Sequence, residues 1–207
     1  MSIAKINTLI LLAGTFLVWL FYGRIDLEVI RWSKAHQDTW IRPVSEVLSE
    51  FGLVGWWIAA SLLLWLAAKY YRHDRYRAER MRFFFTAVVA SGIAVVPLKY
   101  LFGKARPDKL FDENLYGFHW FVAPNDYGMH GFPSGHTTTA FTVATVLTLM
   151  FPRFGVLFYL LALLVGLSRI GVLYHYPSDV VAGAMLGTVL TLWLYRKFPF
   201  PPRETRR

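Results

Sequence analysis

Cysteine is absent from the 207-residue chain, which excludes a disulfide framework and any thiolate metal site. The redox compartment is therefore not readable from thiols. Acid is scarce as well: 13 Asp and Glu stand against 22 Lys and Arg, a formal net charge of +9. The few acids form no cluster of the kind that holds Mg²⁺. Charged residues make up only 17% of the chain while hydrophobic ones reach 56%. That is more apolar surface than one soluble core of this length can hide, and a bilayer is the solvent that accommodates it. The cations sit in short loops between apolar runs rather than along one face, which argues against nucleic acid as a partner. Length favours a single domain over 1–207, with no internal repeat or low-complexity region.

Six apolar runs stand out, at about 6–23, 52–71, 83–102, 135–151, 154–173 and 179–196. A helix of about 20 residues covers the ~30 Å hydrocarbon layer. The expected fold is therefore all-α, a six-transmembrane helical bundle. The fourth and sixth runs are shorter, about 17–18 residues, and need little tilt or a start near the interface. Lys5 before Thr8–Tyr22 has the layout of a signal peptide, but Gly23-Arg24-Ile25-Asp26 makes a poor cleavage site, so a retained first span is expected. Leu27–Glu50 interleaves Trp32, Trp40 and Val44 with Arg31, Lys34, Arg42 and Glu46. It is expected to be an amphipathic helix lying on the membrane surface and broken near Pro43. The proline- and arginine-rich tail Pro199–Arg207 is expected to be mobile.

Six spans put both termini on one side. That side carries thirteen cations, Lys69, Arg72, Arg75, Arg77, Arg80 and Arg82 among them, against Asp74, Glu79 and Glu204. The other side carries nine cations and ten acids. The positive-inside rule then makes both termini cytoplasmic and puts the amphipathic segment on the far, periplasmic side.

The same parity sends three motifs at span ends to that far face: Lys99 with Arg106-Pro107, then Pro133-Ser134-Gly135-His136, then Ser168-Arg169 with His175 and Asp179. Together they supply cations, two histidines and a carboxylate. Cations hold a phosphoryl group, one imidazole can attack it and the other can protonate the leaving oxygen. That inventory fits a metal-independent phosphatase or phosphotransferase. Two helices also begin here and aim their N-termini at a bound anion, with Ser134 suited to an N-cap. Lys104 and Lys109 are taken as headgroup contacts. The aromatic-rich link 108–132 is too long for an idle connector and reads as a lid or an interfacial belt. His119 and His130 within it lack the acidic partners of a metal site.

The pattern Lys99-x6-Arg106-Pro107, Pro133-Ser134-Gly135-His136 and Ser168-Arg169-x5-His175-x3-Asp179 resembles the type 2 phosphatidic acid phosphatase family. That family includes membrane lipid phosphatases and shares its site with soluble acid phosphatases and vanadium haloperoxidases. The motifs lie within 83–196, while 1–82, comprising the first two spans and the interfacial segment, matches only in layout. The resemblance implies that His175 is the nucleophile, forming a phosphohistidine, with Asp179 orienting it. His136 would be general acid and then base. Lys99, Arg106 and Arg169 would hold the phosphoryl oxygens, helped by the Ser134 hydroxyl and the Gly135 N–H. Those cations would also favour the neutral imidazole that attack requires. No cofactor and no metal are implied. The implied partner is a membrane lipid phosphate at the periplasmic face of a bacterial inner membrane: lipid A bearing a 1-phosphate, undecaprenyl or another prenyl diphosphate, or phosphatidylglycerophosphate. Some prenyl-diphosphate members carry Asp where Gly135 stands. A lipid-to-lipid phosphotransferase and a non-catalytic membrane binding or transport protein are the alternatives, and the oligomeric state is open.

Overall fold

Long apolar runs close their backbone hydrogen bonds internally, and the computed structural model, which describes residues 2–200, is built of helices. In chain order they are α1 (Ile3–Arg24), α2 (Asp26–Ala35), α3 (Ile41–Glu50), α4 (Val54–Leu66), α5 (Arg75–Phe102), α6 (Pro107–Glu113), α7 (Gly135–Met150), α8 (Gly155–Gly171) and α9 (Pro177–Lys197). A π-helical turn, Ala67–Tyr71, extends α4, and no strand forms among the described residues. Among the described residues, five stretches are long and apolar enough to cross a bilayer: Ile3–Arg24, Ile41–Tyr71, Arg75–Phe102, Pro152–Gly171 and Pro177–Lys197. The fourth expected span, α7, is not among them. Its 16 residues reach only about 24 Å, and six of them are threonines.

Those threonines mark α7 as the enclosed helix of the bundle. Thr137, Thr138, Thr139, Thr142 and Thr145 are all buried. Thr138 and Thr145 donate their hydroxyls back to the carbonyls four residues earlier, which lets a polar residue sit in an apolar interior. On the facing helix Gly183 and Gly187 let α9 approach α7 backbone to backbone. A side chain at either would run into Ser134 O or Thr138 O. The outer helices show the opposite pattern: on α1 only Gly14 is buried, while Leu12, Phe16 and Trp19 are exposed, as suits a lipid-facing surface.

The segment between the first two spans departs from expectation. The break falls at 36–40, not at Pro43. Pro43 sits in the first turn of α3, where its missing N–H costs nothing. Nor does the segment simply lie on the surface. Ser33 Oγ donates to Ile170 O at 3.0 Å, Gln37 Nε2 donates to Gly171 O at 2.9 Å, and Ser49 Oγ meets Ser168 Oγ at 3.0 Å. Ser33 and Gln37 thereby bind the last two carbonyls of α8, and Ser49 ties the end of α3 to the Ser168 hydroxyl. Trp32 and Trp40 remain exposed, as the amphipathic reading requires. Of the tail expected to be mobile, 201–207 lies outside the described residues. Phe200 is buried instead, packed edge-on against Phe83 at 5.4 Å, with the Arg80 guanidinium over its ring.

Candidate functional site

α5 delivers the first motif. It ends at Gly103, whose φ of +52° forms a left-handed cap, and a Cβ there would collide with Val122. The chain then runs extended to Arg106, tied by Ala105 N–H to Gly117 O and by Arg106 N–H to Gly128 O. One carbonyl gathers both cations: Lys99 Nζ donates to His130 O at 2.7 Å and Arg106 Nη2 to the same oxygen at 3.3 Å. Arg106 lies over the Tyr127 ring at 4.0 Å. Its Nε and Nη1 are buried with no hydrogen-bond partner in the protein.

The third motif is folded by a turn at the end of α8. Tyr174 N–H and His175 N–H both donate to Arg169 O, at 3.0 and 3.2 Å, with Leu173 left-handed at φ +58°. This reversal sets His175 beside the arginine six residues before it. Arg169 lies over the Tyr174 ring at 4.7 Å, and its Nε is also buried without a partner. Pro177 and Asp179 occupy the first turn of α9, and Asp179 Oδ2 accepts from Tyr176 N–H at 2.9 Å. The same oxygen lies 3.5 Å from His175 Nδ1, an electrostatic contact rather than a formed hydrogen bond. Burial first, then the charges of Arg106, Lys99 and Arg169, hold the His175 imidazole well below its ordinary pKa. Its neutral form is therefore the resting one near neutral pH.

The second motif opens α7. Ser134 is its N-cap: Oγ accepts from Thr137 N–H at 3.5 Å and from Thr137 Oγ1 at 2.9 Å. Ser134 N–H donates to Asp179 O at 3.1 Å, which joins the second and third motifs directly. A Cβ on Gly135 would meet nothing closer than Val95 Cγ1 at 3.8 Å, so the space before this helix end is open. His136 packs its ring against the backbone of Gly52, where no side chain fits. It borders an apolar slot of about 190 Å³ lined by Gly52, Leu53, Val54, Val95 and Thr139. A larger hollow of about 310 Å³ lies among Trp65, Lys69, His73 and Arg75, at the opposite end of α5 and away from all three motifs.

Lys104 corrects the sequence reading. Far from touching headgroups, it is fully buried. Its ammonium donates to Asp26 Oδ2 at 2.9 Å, Ser178 Oγ at 2.6 Å and Asp179 Oδ1 at 2.7 Å. Ser178 in turn donates to Asp26 through its N–H at 2.9 Å and its hydroxyl at 2.5 Å. Nothing local distinguishes Lys104 from the other interfacial cations, because its partners stand 78 and 75 residues away. Asp26, Ser178 and the His130 carbonyl were missed for the same reason. Lys109 does lie on the surface, pairing with Glu113 at 2.7 Å. The 108–132 segment is strapped to α5 by Phe121 N–H to Leu101 O and Val122 N–H to Tyr100 O, and its Trp120 and Phe121 are exposed.

The three motifs thus meet around a buried neutral imidazole, with two guanidiniums whose free donors have no protein acceptor and one lysine beside them. Unspent, buried cationic donors of this kind are what a phosphoryl dianion satisfies. A family model described as the PAP2 superfamily matches residues 80–202. The lipid A 1-phosphatase of Rhizobium etli is 34% identical over 76% of this chain and 72% of its own length. The undecaprenyl-diphosphatase of Sulfolobus acidocaldarius is 28% identical over 79% of this chain and 73% of its own. Among solved structures, a transmembrane PAP2 type phosphatidylglycerolphosphate phosphatase from Bacillus subtilis superposes with a TM-score of 0.63. At 18% identity it covers 96% of this chain and 98% of the other, and the likeness speaks for the fold.

Proposed function

The chain belongs to the PAP2 superfamily, and from that premise we propose that this multi-pass membrane lipid phosphatase removes the 1-phosphate of lipid A at the periplasmic face of a bacterial inner membrane. The observation that carries the phosphoryl chemistry is the set of buried, unpartnered donors: Arg106 Nε and Nη1 with Arg169 Nε, beside a neutral His175. The substrate rests on the lipid A 1-phosphatases of two Rhizobium species, 34% and 33% identical.

In the reaction, Lys99, Arg106 and Arg169 hold the non-bridging oxygens, with the α7 N-terminus and the Ser134 hydroxyl completing the cradle. His175 Nδ1 faces Asp179, so Nε2 is the attacking atom. A P–N bond forms as the P–O bond to the lipid breaks, and His136 gives its proton to the leaving oxygen. His136 then takes a proton from water, whose oxygen attacks phosphorus as the P–N bond breaks. Inorganic phosphate leaves and His175 returns to its neutral form. The apolar slot beside His136 suits a leaving group that carries lipid. A six-span path with both termini cytoplasmic, α7 being the short span, agrees with the charge asymmetry of the loops.

The test is phosphate release by purified enzyme in detergent from lipid A, undecaprenyl diphosphate and phosphatidylglycerophosphate, with and without EDTA. Lipid A is expected to be turned over fastest and EDTA to leave the rate unchanged. Preference for another lipid overturns the substrate, and transfer of phosphate to a second lipid overturns hydrolysis. Inactivity after EDTA overturns the metal-free scheme.

A further inference from the structure

We propose that Lys104, anchored by Asp26 and Ser178, is a positioning residue that fixes the Asp179 carboxylate towards His175. This inference rests on the phosphohistidine chemistry proposed above. All three ammonium protons of Lys104 are used, one each on Asp26, Ser178 and Asp179. Asp179 is thereby held at both oxygens: Oδ1 by Lys104, and Oδ2 by Tyr176 N–H, with Oδ2 left facing His175 Nδ1. A carboxylate pinned at both ends cannot rotate away from the imidazole it orients.

The surroundings make the arrangement rigid. The ammonium sits between 4.7 and 6.0 Å from the rings of Tyr22, Tyr116, Phe118, Phe132 and Tyr176. These aromatic faces favour a cation and close the site to water. Tyr116 OH lies 3.2 Å from Asp26 Oδ2 and 2.9 Å from Tyr22 O. Burial and the Asp26 carboxylate push the Tyr116 phenol well above its ordinary pKa, so it stays a donor.

Charge count explains why a second carboxylate is present. Asp26, Asp179 and Lys104 are fully buried and together carry a formal charge of −1. That is the charge which best complements the cation His175 becomes while it bears the phosphoryl group. A merely adhesive role is the competing account, but the two bonds from Ser178 to Asp26 already join α2 to α9. Lys104 already ties the link after α5 to α9 through Ser178, so its further bond to Asp179 is the one that reaches the carboxylate.

Lys104→Met alone leaves two buried carboxylates facing each other and risks the fold. The charge-balanced pair Asp26→Asn/Lys104→Met keeps the formal −1 on Asp179. Its expected phenotype is folded protein whose kcat, measured on dioleoyl phosphatidate in mixed micelles, falls by about 10- to 100-fold with KM little changed. Because Lys104 acts through Asp179, adding the pair to Asp179→Asn is expected to lower kcat by no more than about 3-fold beyond Asp179→Asn alone. A pair with wild-type kcat overturns the inference, as does a triple variant showing the full product of the two losses. If the pair does not fold, Lys104→Arg serves instead: the longer, planar head is expected to lower kcat with KM kept, and wild-type kcat there overturns the inference too. Wild-type enzyme inactive on every lipid phosphate tested sinks the phosphatase reading and this inference with it. Wild-type activity with an unaffected pair sinks this inference alone.

Discussion

Gly183→Ala adds one methyl group where α9 crosses α7. In ideal geometry that carbon lies 2.6 Å from Ser134 O, 3.1 Å from Thr137 Cβ and 3.2 Å from Thr138 Oγ1. Relaxed contacts of this type sit near ~3.3–3.6 Å to oxygen, so the helices must separate by roughly 0.7–1 Å at this point. The first atom met is backbone and has no rotamer to escape into. Overpacking of this kind costs about 1–3 kcal/mol, and for a chain of this size each kcal/mol lowers Tm by roughly 2–4 °C. The chemical effect is expected to be larger. Ser134 N–H donates to Asp179 O across this same crossing, so parting the helices moves His136 away from His175. A misplacement of about 1 Å costs on the order of 10²-fold in rate. Thermal unfolding in detergent and kcat on one lipid phosphate would be measured beside Gly55→Ala, a site where an added carbon meets nothing within 4 Å. The control is expected to match wild type in rate. Wild-type kcat and Tm in Gly183→Ala would refute the claim that this glycine sets the spacing of the two motifs.

Two further outcomes follow from the site. His175→Ala is expected to release no phosphate at any pH, whereas Asp179→Asn retains weak turnover, since the proposed nucleophile survives and only its orientation and charge compensation are lost. Radiolabelled enzyme quenched during turnover checks this, and an acid-labile phosphoenzyme in His175→Ala would refute the assignment. For pH, the proposed attack by His175 needs a neutral imidazole, and burial with Arg106 holds its pKa low. The acid limb of kcat/KM is therefore expected below the ordinary histidine value of about 6.5. Arg106→Ala removes the largest charge acting on His175, so the limb should move upward towards that value even as the overall rate falls. A limb unmoved by the substitution would show that another group titrates.

Much of the site was legible because its chemistry is written in short spacings. Ser134 caps the helix that carries His136, and Asp179 lies in the first turn of α9 only four residues after His175, so short separation along the chain keeps the members of each pair near one another. The coupling between motifs was less legible. A sequence gives Lys104 as one more cation beside Arg106, and only packing shows that its head turns towards Asp26 on a helix from the other end of the chain. The His130 carbonyl that gathers Lys99 and Arg106 carries no residue-type signal at all, since any residue has a carbonyl. The break before α3 falls away from Pro43 for a simpler reason: proline breaks a helix interior but is tolerated in a first turn. Phe200 has the composition of a loose tail around it, yet it continues the apolar seam of Phe83 and Tyr195.

The polar side chains of α2 and of the turn after it hold two helix ends at once. Ser33 and Gln37 occupy the last carbonyls of α8, and Asp26 occupies an open N–H at the start of α9. The turn carrying His175 hangs between those two ends. It is suspended from a clasp that contributes no reacting atom and lies wholly before residue 80, where the family match begins. The region that defines the family is thus smaller than the unit that works. A chimera joining these family motifs to a foreign N-terminal third would carry every reacting group and still lack the frame that keeps the histidine in place.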